Sequence, residues 1–326
     1  MRRTAIVLTV VLLAILLSQT DLHAVASSFR NFSPLAGAAG LAVWVLTNWL
    51  RALRFASLVL SREVSRGRMF SIVNVQNLLA TITPGRAGEM SYVVLLRQDG
   101  RVPGAEGLAG LVVARILDFV VVFGVAVGAL LAVREALPAG SGRVLATSLG
   151  LFGASLLVLA QLAWFSEKGV ATIDVIVART PARRSSWARR AAEKAREVHA
   201  CIVRVRERGE WSRLWILTAG IWVSSYAVAL LWIFGLGLSI SPPQAIFVAA
   251  VAGLATSLPV QGFAGLGTTE AGWAIPLVLM GVQRQEAIAA GFCFHALALI
   301  YLAILGGGGF LHLSRRRRML TVPVDK

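Results

Sequence analysis

Thr83-Pro84-Gly85-Arg86-Ala87-Gly88-Glu89 cuts an apolar stretch, residues 70–97, into two short pieces. A second interruption runs from Pro259 through Gln261-Gly262-Phe263-Ala264-Gly265-Leu266-Gly267 to Thr268-Thr269-Glu270, inside residues 243–280. Each piece is about a dozen residues, roughly 18 Å of helix, which is too short to cross about 30 Å of hydrocarbon. Proline removes an intrahelical donor and clustered glycine weakens a helix, so the helices stop at these places. Backbone broken at membrane depth has to line protein or a wet cavity. Both stretches therefore read as re-entrant, broken helix pairs.

The two look like copies. Leu79-Ala80-Thr81-Ile82-Thr83-Pro84 matches Leu254-Ala255-Thr256-Ser257-Leu258-Pro259. A glycine-rich turn follows each, then Glu89 or Glu270, then Gly100 or Gly281 at the same distance. Chance likeness of two Leu/Ala/Thr-rich segments is the competing explanation. The agreement of breaks, glutamates and glycines favours a repeat.

Working outward, the class of the chain follows from its composition. It has 326 residues, 57% hydrophobic and 15% charged, where a soluble domain carries about a quarter charged residues. The reading is an all-α integral membrane protein, a polytopic helical bundle. About six full spans are expected, at 4–19, 34–56, 108–133, 144–165, 214–238 and 287–313, plus the two re-entrant pairs. The net charge of +16 is clustered at Arg2-Arg3, 51–68, 179–213 and 315–318. Such clusters flank spans on the cytoplasmic side, and no nucleic-acid module accompanies them. Placing each cluster inside puts both termini in the cytoplasm of a cell inner membrane. The first broken pair then enters from the cytoplasm and the second from outside, an inverted repeat of the kind found in secondary transporters. The whole of 1–326 forms one transmembrane domain, its halves about 34–133 and 214–313. Between the halves, Trp187, Ala191, Ala195, Val198, Ile202 and Val205 make an apolar stripe on an arginine-rich helix, expected to lie on anionic lipid of the inner leaflet. The N-terminus resembles a signal peptide ending in Ala24-Val25-Ala26 and is read as an uncleaved first helix. Cys201 and Cys293 lie in different settings, so neither a disulfide nor a metal site is expected.

Ionisable residues inside spans cost about 2.5–3.5 kcal/mol each and need a reason. Thr83 can cap a half-helix with Pro84 in its first turn, and Gly85 keeps the turn open. The free N–H groups and positive dipole end there, with Arg86, suit a phosphate or carboxylate. Arg86 and Glu89 could instead pair with each other. Gly265, Gly267, Thr268 and Thr269 can open the second half-helix in the same way before Glu270; close helix packing would explain the glycines but not the carboxylate. Arg115 and Asp118 share a face of an apolar helix, either as a self-satisfied pair or as part of the site. Asn77 and His295 are weaker candidates. No nucleotide loop, catalytic triad, metal cluster or cofactor motif is visible.

Asn77, Pro84-Gly85-Arg86-Ala87-Gly88-Glu89, Leu96-Arg97, Arg115 to Asp118 and the later Pro259…Gly265-Leu266-Gly267…Glu270 resemble the flippase-like, lysylphosphatidylglycerol synthase transmembrane family. The resemblance runs from about helix two to the last helix. It implies a flippase-like lipid transporter for an anionic phospholipid, a polyprenyl-phosphate-linked sugar or a related lipid. In the synthases a soluble aminoacyl-transferring domain follows this region; here the sequence stops at Lys326, so synthase activity is not expected. Two other readings stay open, a lipid-binding accessory protein for a glycosyltransferase and an intramembrane enzyme.

The charge path makes a topological prediction. Cysteines placed at Gly100 and Gly281 should label from the cytoplasmic and external side respectively; labelling from one side would end the inverted repeat.

Overall fold

The computed structural model describes residues 22–61, 64–100, 102–137, 140, 142–143, 145–150, 153–154, 157, 186–257 and 263–321. In chain order the described elements begin with α1 (Leu22–Asn31) and α2 (Pro34–Leu58). Ser33 opens α2, its Oγ accepting from Ala36 N at 3.3 Å, with Pro34 in the first turn, where its missing N–H costs nothing. Helix α3 (Arg66–Ile82) stops at Thr83, which is extended because Pro84 follows it. A 3₁₀ segment, Pro84–Met90, then leads into α4 (Ser91–Gly100) and the long α5 (Gly104–Ala132). After α6 (Ser186–Glu207) the pattern recurs: α7 (Trp211–Gly235), α8 (Pro242–Ser257), a 3₁₀ turn at Phe263–Gly265, α9 (Thr268–Leu279) and α10 (Arg284–Thr321).

Among the described residues three helices are long and apolar enough to cross a membrane: α5, α7 and the Arg284–Arg315 part of α10. A fourth span results if the end of α1 and α2, bent by 83° at their junction, count as one. The described architecture is thus all-helical with three to four candidate spans, which fall on the expected spans at 34–56, 108–133, 214–238 and 287–313. The expected span at 4–19 and most of that at 144–165 lie outside the described residues. Helices α3, α4, α8 and α9 have 17, 10, 16 and 12 residues, each short of the roughly 20 a span needs. Helix α10 continues through Arg315-Arg316-Arg317-Arg318 without a break.

Packing divides the interior into two apolar cores. One joins Phe55 and Leu58 of α2, Met69 and Ile72 of α3, Tyr92 and Leu96 of α4, Leu117 of α5, Leu214 of α7 and Leu313 of α10. Phe55, Leu58, Met69, Ile72, Leu214 and Leu313 lie in or beside the basic clusters of 51–68, 179–213 and 315–318, which makes this the basic-end core. The other joins Ala126 and Leu130 of α5, Trp232 and Ile233 of α7, Phe247 and Val248 of α8, Trp273 and Leu277 of α9, and Phe294 and Tyr301 of α10. The first broken pair therefore packs into the basic-end core and the second into the opposite one. Their 3₁₀ segments touch. Helices α2 and α7 run against each other with Thr47 Oγ1 donating to Ser224 Oγ at 2.9 Å, and Tyr301 of α10 donates to the carbonyl of Gly37 at 2.5 Å.

Two details depart from the sequence reading. Helix α6 packs on α5, and the C-terminal part of its stripe faces protein: Val205 is buried and Ile202 packs on the basic-end core, beside the buried Cys201, which is not in the stripe. The side chains of Trp187, Ala191 and Ala195 lie outside the described residues. Glu106, unremarked in the sequence, is buried in the first turn of α5, where its Oε1 accepts from the backbone N–H of Leu60 and of Ser61. It holds the α2–α3 connection to α5.

Helix α10 crosses α3 closely because it is glycine there. A Cβ on Gly309 would lie 2.8 Å from the carbonyl oxygen of Ser71, whereas a Cβ on Gly308 would meet nothing within 4 Å. Gly309→Ala should therefore destabilise the protein by about 1–3 kcal/mol through overpacking. Gly308→Ala should be neutral or slightly stabilising, since alanine is the better helix former. Thermal unfolding in detergent checks both; equal melting temperatures would show that the crossing tolerates a methyl group.

Candidate functional site

Between the two cores lies a cavity of about 280 Å³. Its walls combine aromatic rings, among them Trp44, Trp222, Tyr226 and Trp273, with the polar side chains of Arg51, Arg54, Gln76, Asn77, Arg115, Asp118 and Thr269. Helices α2, α3, α5, α7, α8, α9 and α10 all contribute.

Two ion pairs organise the walls. The Arg54 guanidinium meets the Asp118 carboxylate fork to fork, Nη1 to Oδ1 at 2.6 Å and Nη2 to Oδ2 at 2.9 Å. Thr218 Oγ1 accepts from Arg54 at 3.1 Å, and Trp222 Nε1 donates to Asp118 at 3.0 Å. The Arg54 side chain is 2% exposed and that of Asp118 15%. Arg115 makes a second fork with Glu89, Nη2 to Oε1 at 2.6 Å and Nε to Oε2 at 3.1 Å, and is 30% exposed. Of the two readings left open for Arg115 and Asp118, the mutual pair is not formed; each pairs elsewhere. The reason is geometric: three residues apart, both project toward α2 and the first break, where a better-placed opposite charge waits for each. Asn48 Oδ1 receives Asn77 Nδ2 at 3.0 Å and Arg51 Nη1 at 3.3 Å, which ties α2 to α3.

The first break is closed by Thr83, which donates to the Leu79 carbonyl and accepts from Gly88 N–H, both at 2.7 Å. The backbone of Gly85 and Arg86 lies in the 3₁₀ segment; their side chains lie outside the described residues. The second break is tighter. Ala264, Gly265 and Gly267 have φ of 55°, 73° and 84°, a left-handed region that glycine enters freely and alanine does not. Gly267, rather than Thr268 or Thr269, is the residue before α9, and its N–H donates to Glu270 Oε2 at 2.8 Å. Thr268 Oγ1 donates to the Gly265 carbonyl at 3.4 Å. Glu270 also meets His295 Nδ1 at 2.8 Å, and its side chain is 1% exposed.

Of the residues singled out in the sequence, the cavity gathers Asn77, Arg115, Asp118 and Thr269. Glu89 reaches it through Arg115. Glu270 turns instead toward its own turn and His295. Arg51 and Arg54 were missed, having been counted as the cytoplasmic flank of a span. Their signal was available: Thr47, Asn48, Arg51 and Arg54 recur at three- and four-residue steps, a polar stripe on one face of α2. Four cavity residues carry a buried donor with no hydrogen bond among the described residues: Trp44 Nε1, Trp232 Nε1, Tyr226 OH and Arg54 Nε. Unmet donors on one cavity call for an acceptor. Among the described residues no three His, Cys, Asp or Glu side chains are grouped to hold a metal.

The family model for the lysylphosphatidylglycerol synthase transmembrane region matches residues 3–306. The chain belongs to this family. It is a multi-pass membrane protein, and the match covers nearly all of it. No curated protein and no solved structure matches the chain.

The Arg54–Asp118 pair makes a test of stability. Removing one partner of a buried pair leaves the other uncompensated, at a cost of about 3–5 kcal/mol. Arg54→Met and Asp118→Leu should each lower the melting temperature sharply, and the double variant less than their sum. Arg115→Leu with Asp118→Leu should instead be worse than either alone, because it strands Glu89 and Arg54 together. Near-equal melting points across this set would remove the pairs from the account of the fold.

Proposed function

We propose that this protein is a lipid transporter that carries an anionic headgroup through the central cavity while the apolar tail stays in the bilayer. The observation that carries the proposal is the cavity wall. It holds Arg51, Arg54 and Arg115 against Asp118 and the adjoining Glu89, and its unmet groups are donors. Phosphate is the acceptor such a wall suits, since a guanidinium fork matches its oxygens. Arg115 is the exposed member of its pair and so the natural contact for a ligand. Arg86 would add charge from the neighbouring break.

The packing supports the rest of the mechanism. Two broken pairs belong to opposite cores and touch at their breaks, as re-entrant segments of an inverted repeat would if they entered from the two sides of the membrane. Rocking one pair against the other would open the cavity alternately. Both termini lie in the cytoplasm on this reading, which puts each basic cluster of the sequence on the inner side. The lipid is an anionic phospholipid, a polyprenyl-phosphate-linked sugar or a related species. A second reading keeps the same site in a protein that binds the lipid for a partner enzyme without moving it.

Transport of a fluorescent anionic phospholipid in liposomes tests this. Arg115→Gln, Arg86→Gln and Glu89→Gln should each lose at least about tenfold in rate, about 1.4 kcal/mol of barrier, with the fold kept. Glu89→Gln leaves Arg115 without its carboxylate, so it should bind the lipid at least as tightly while moving it more slowly. Arg86→Lys should recover only part, having charge without the fork. Wild-type binding without wild-type transport would favour the accessory role. Normal transport by all the Gln variants would discard the site.

A further inference from the structure

His295 Nε2 lies 3.0 Å from the carbonyl oxygen of Ala264, and Nδ1 lies 2.8 Å from Glu270 Oε1. A carbonyl oxygen only accepts, so Nε2 carries a hydrogen. The neutral ring has one N–H, already spent on Ala264, which leaves a lone pair on Nδ1 facing the carboxyl group. A hydrogen bond at 2.8 Å requires one more proton between them, on His295 as imidazolium or on Glu270 as carboxylic acid. The two side chains are 5% and 1% exposed, so water does not substitute for it.

We propose that Glu270 and His295 form a proton-binding site that latches the second break. With the proton bound, His295 holds the Ala264 carbonyl, Glu270 Oε2 holds the Gly267 N–H, and Glu270 Oε1 and Nδ1 join the two. Both ends of the left-handed turn Ala264 to Gly267 are thereby tied to α10. When the proton leaves to solvent, a carboxylate faces a lone pair, the Glu270–His295 bond is lost and the strained turn is freed. The site is built by close packing. A Cβ on Gly291, one helical turn before His295, would lie 2.7 Å from the Glu270 carbonyl, so glycine there lets α10 press His295 onto the head of α9.

At the first break the corresponding carboxylate, Glu89, is held instead by Arg115, a guanidinium with no acceptor nitrogen to share a proton. Other charges on the elements around the latch are few. Helix α8 has no ionisable side chain, and the first 3₁₀ segment brings Arg86 and the engaged Glu89. Arg66 and Arg68 stand in the first turn of α3, far along the helix from Thr83. Helix α2 brings Arg51 and Arg54, and α1 brings His23 and Arg30. Helix α10 itself carries Arg284, Glu286, His312 and the terminal arginines. None of these supplies a described partner of Glu270 or His295.

The chain has four histidines, so nitrogen-15 labelling of histidine in the full-length protein in nanodiscs yields a small set of ring signals. His295→Gln assigns the one in question. No lipid substrate or anion is added, so the result is independent of the transport reading. Across the pH range in which the protein stays folded, His295 Nδ1 should pass through one transition while Nε2 stays protonated. Above that transition, exchange of the Gly267 amide, corrected for its intrinsic rate, should rise at least about tenfold. Glu270→Gln should abolish both changes and stay latched, because its amide N–H donates to Nδ1 without titrating. An invariant His295 signal in the wild type overturns the proposal even if no variant folds. So does a transition that persists in Glu270→Gln, or Gly267 protection that ignores the transition.

Discussion

A guanidinium placed among apolar helices has to find its counter-charge inside the protein, and Arg54 sets the terms for the rest of this structure. It is 1% exposed, so its charge cannot be left to water, and desolvation there costs several kcal/mol before any return. Asp118 on α5 supplies the carboxylate, and Thr218 and Trp222 on α7 complete the hydrogen bonds. One interaction thus fixes the mutual rotation of α2, α5 and α7. The cavity lies beside it, with Arg54, Asp118 and Trp222 in its wall.

The same constraint governs the two breaks. A helix that stops inside the protein exposes backbone groups that need partners. In the first break Thr83 supplies them from its own hydroxyl, and Glu89 reaches α5 and meets Arg115. In the second, Glu270 is spent on the backbone of its own turn and shares its other oxygen with His295. The glutamates match in sequence but differ in work. One borders the cavity through a fixed charge; the other is sealed into the packing between α9 and α10. A carboxylate at a break therefore does not by itself mark a ligand contact, and the neighbouring helix decides its role.

Much of the local structure was legible. Pro84 and the glycines of 262–267 end helices for backbone reasons that need no partner. The glutamates after them were visible because a carboxylate in an apolar setting is conspicuous. Arg115 and Asp118 were found for the same cause, and Asn77 by its polarity. Their pairings were not legible, because three-residue spacing on one face is equally compatible with a mutual bond and with two outside partners. Arg54 was overlooked because an arginine near the end of a span reads as a flank; only the depth of its burial shows otherwise. His295 was underweighted because a lone histidine on an apolar helix carries no spacing signal.

By itself the sequence determined that the chain enters a membrane, where its helices must break, and which residues would be costly without a partner. Those follow from transfer free energies and backbone chemistry, which act on each segment separately. The tertiary structure alone decided that Arg54 takes Asp118, that Arg115 takes Glu89, that Glu270 takes His295, and that the two breaks meet between opposite cores. These pairings join residues 25 to 64 positions apart. They depend on how α2, α5, α9 and α10 pack, and packing is set by the shapes of side chains that no single segment contains.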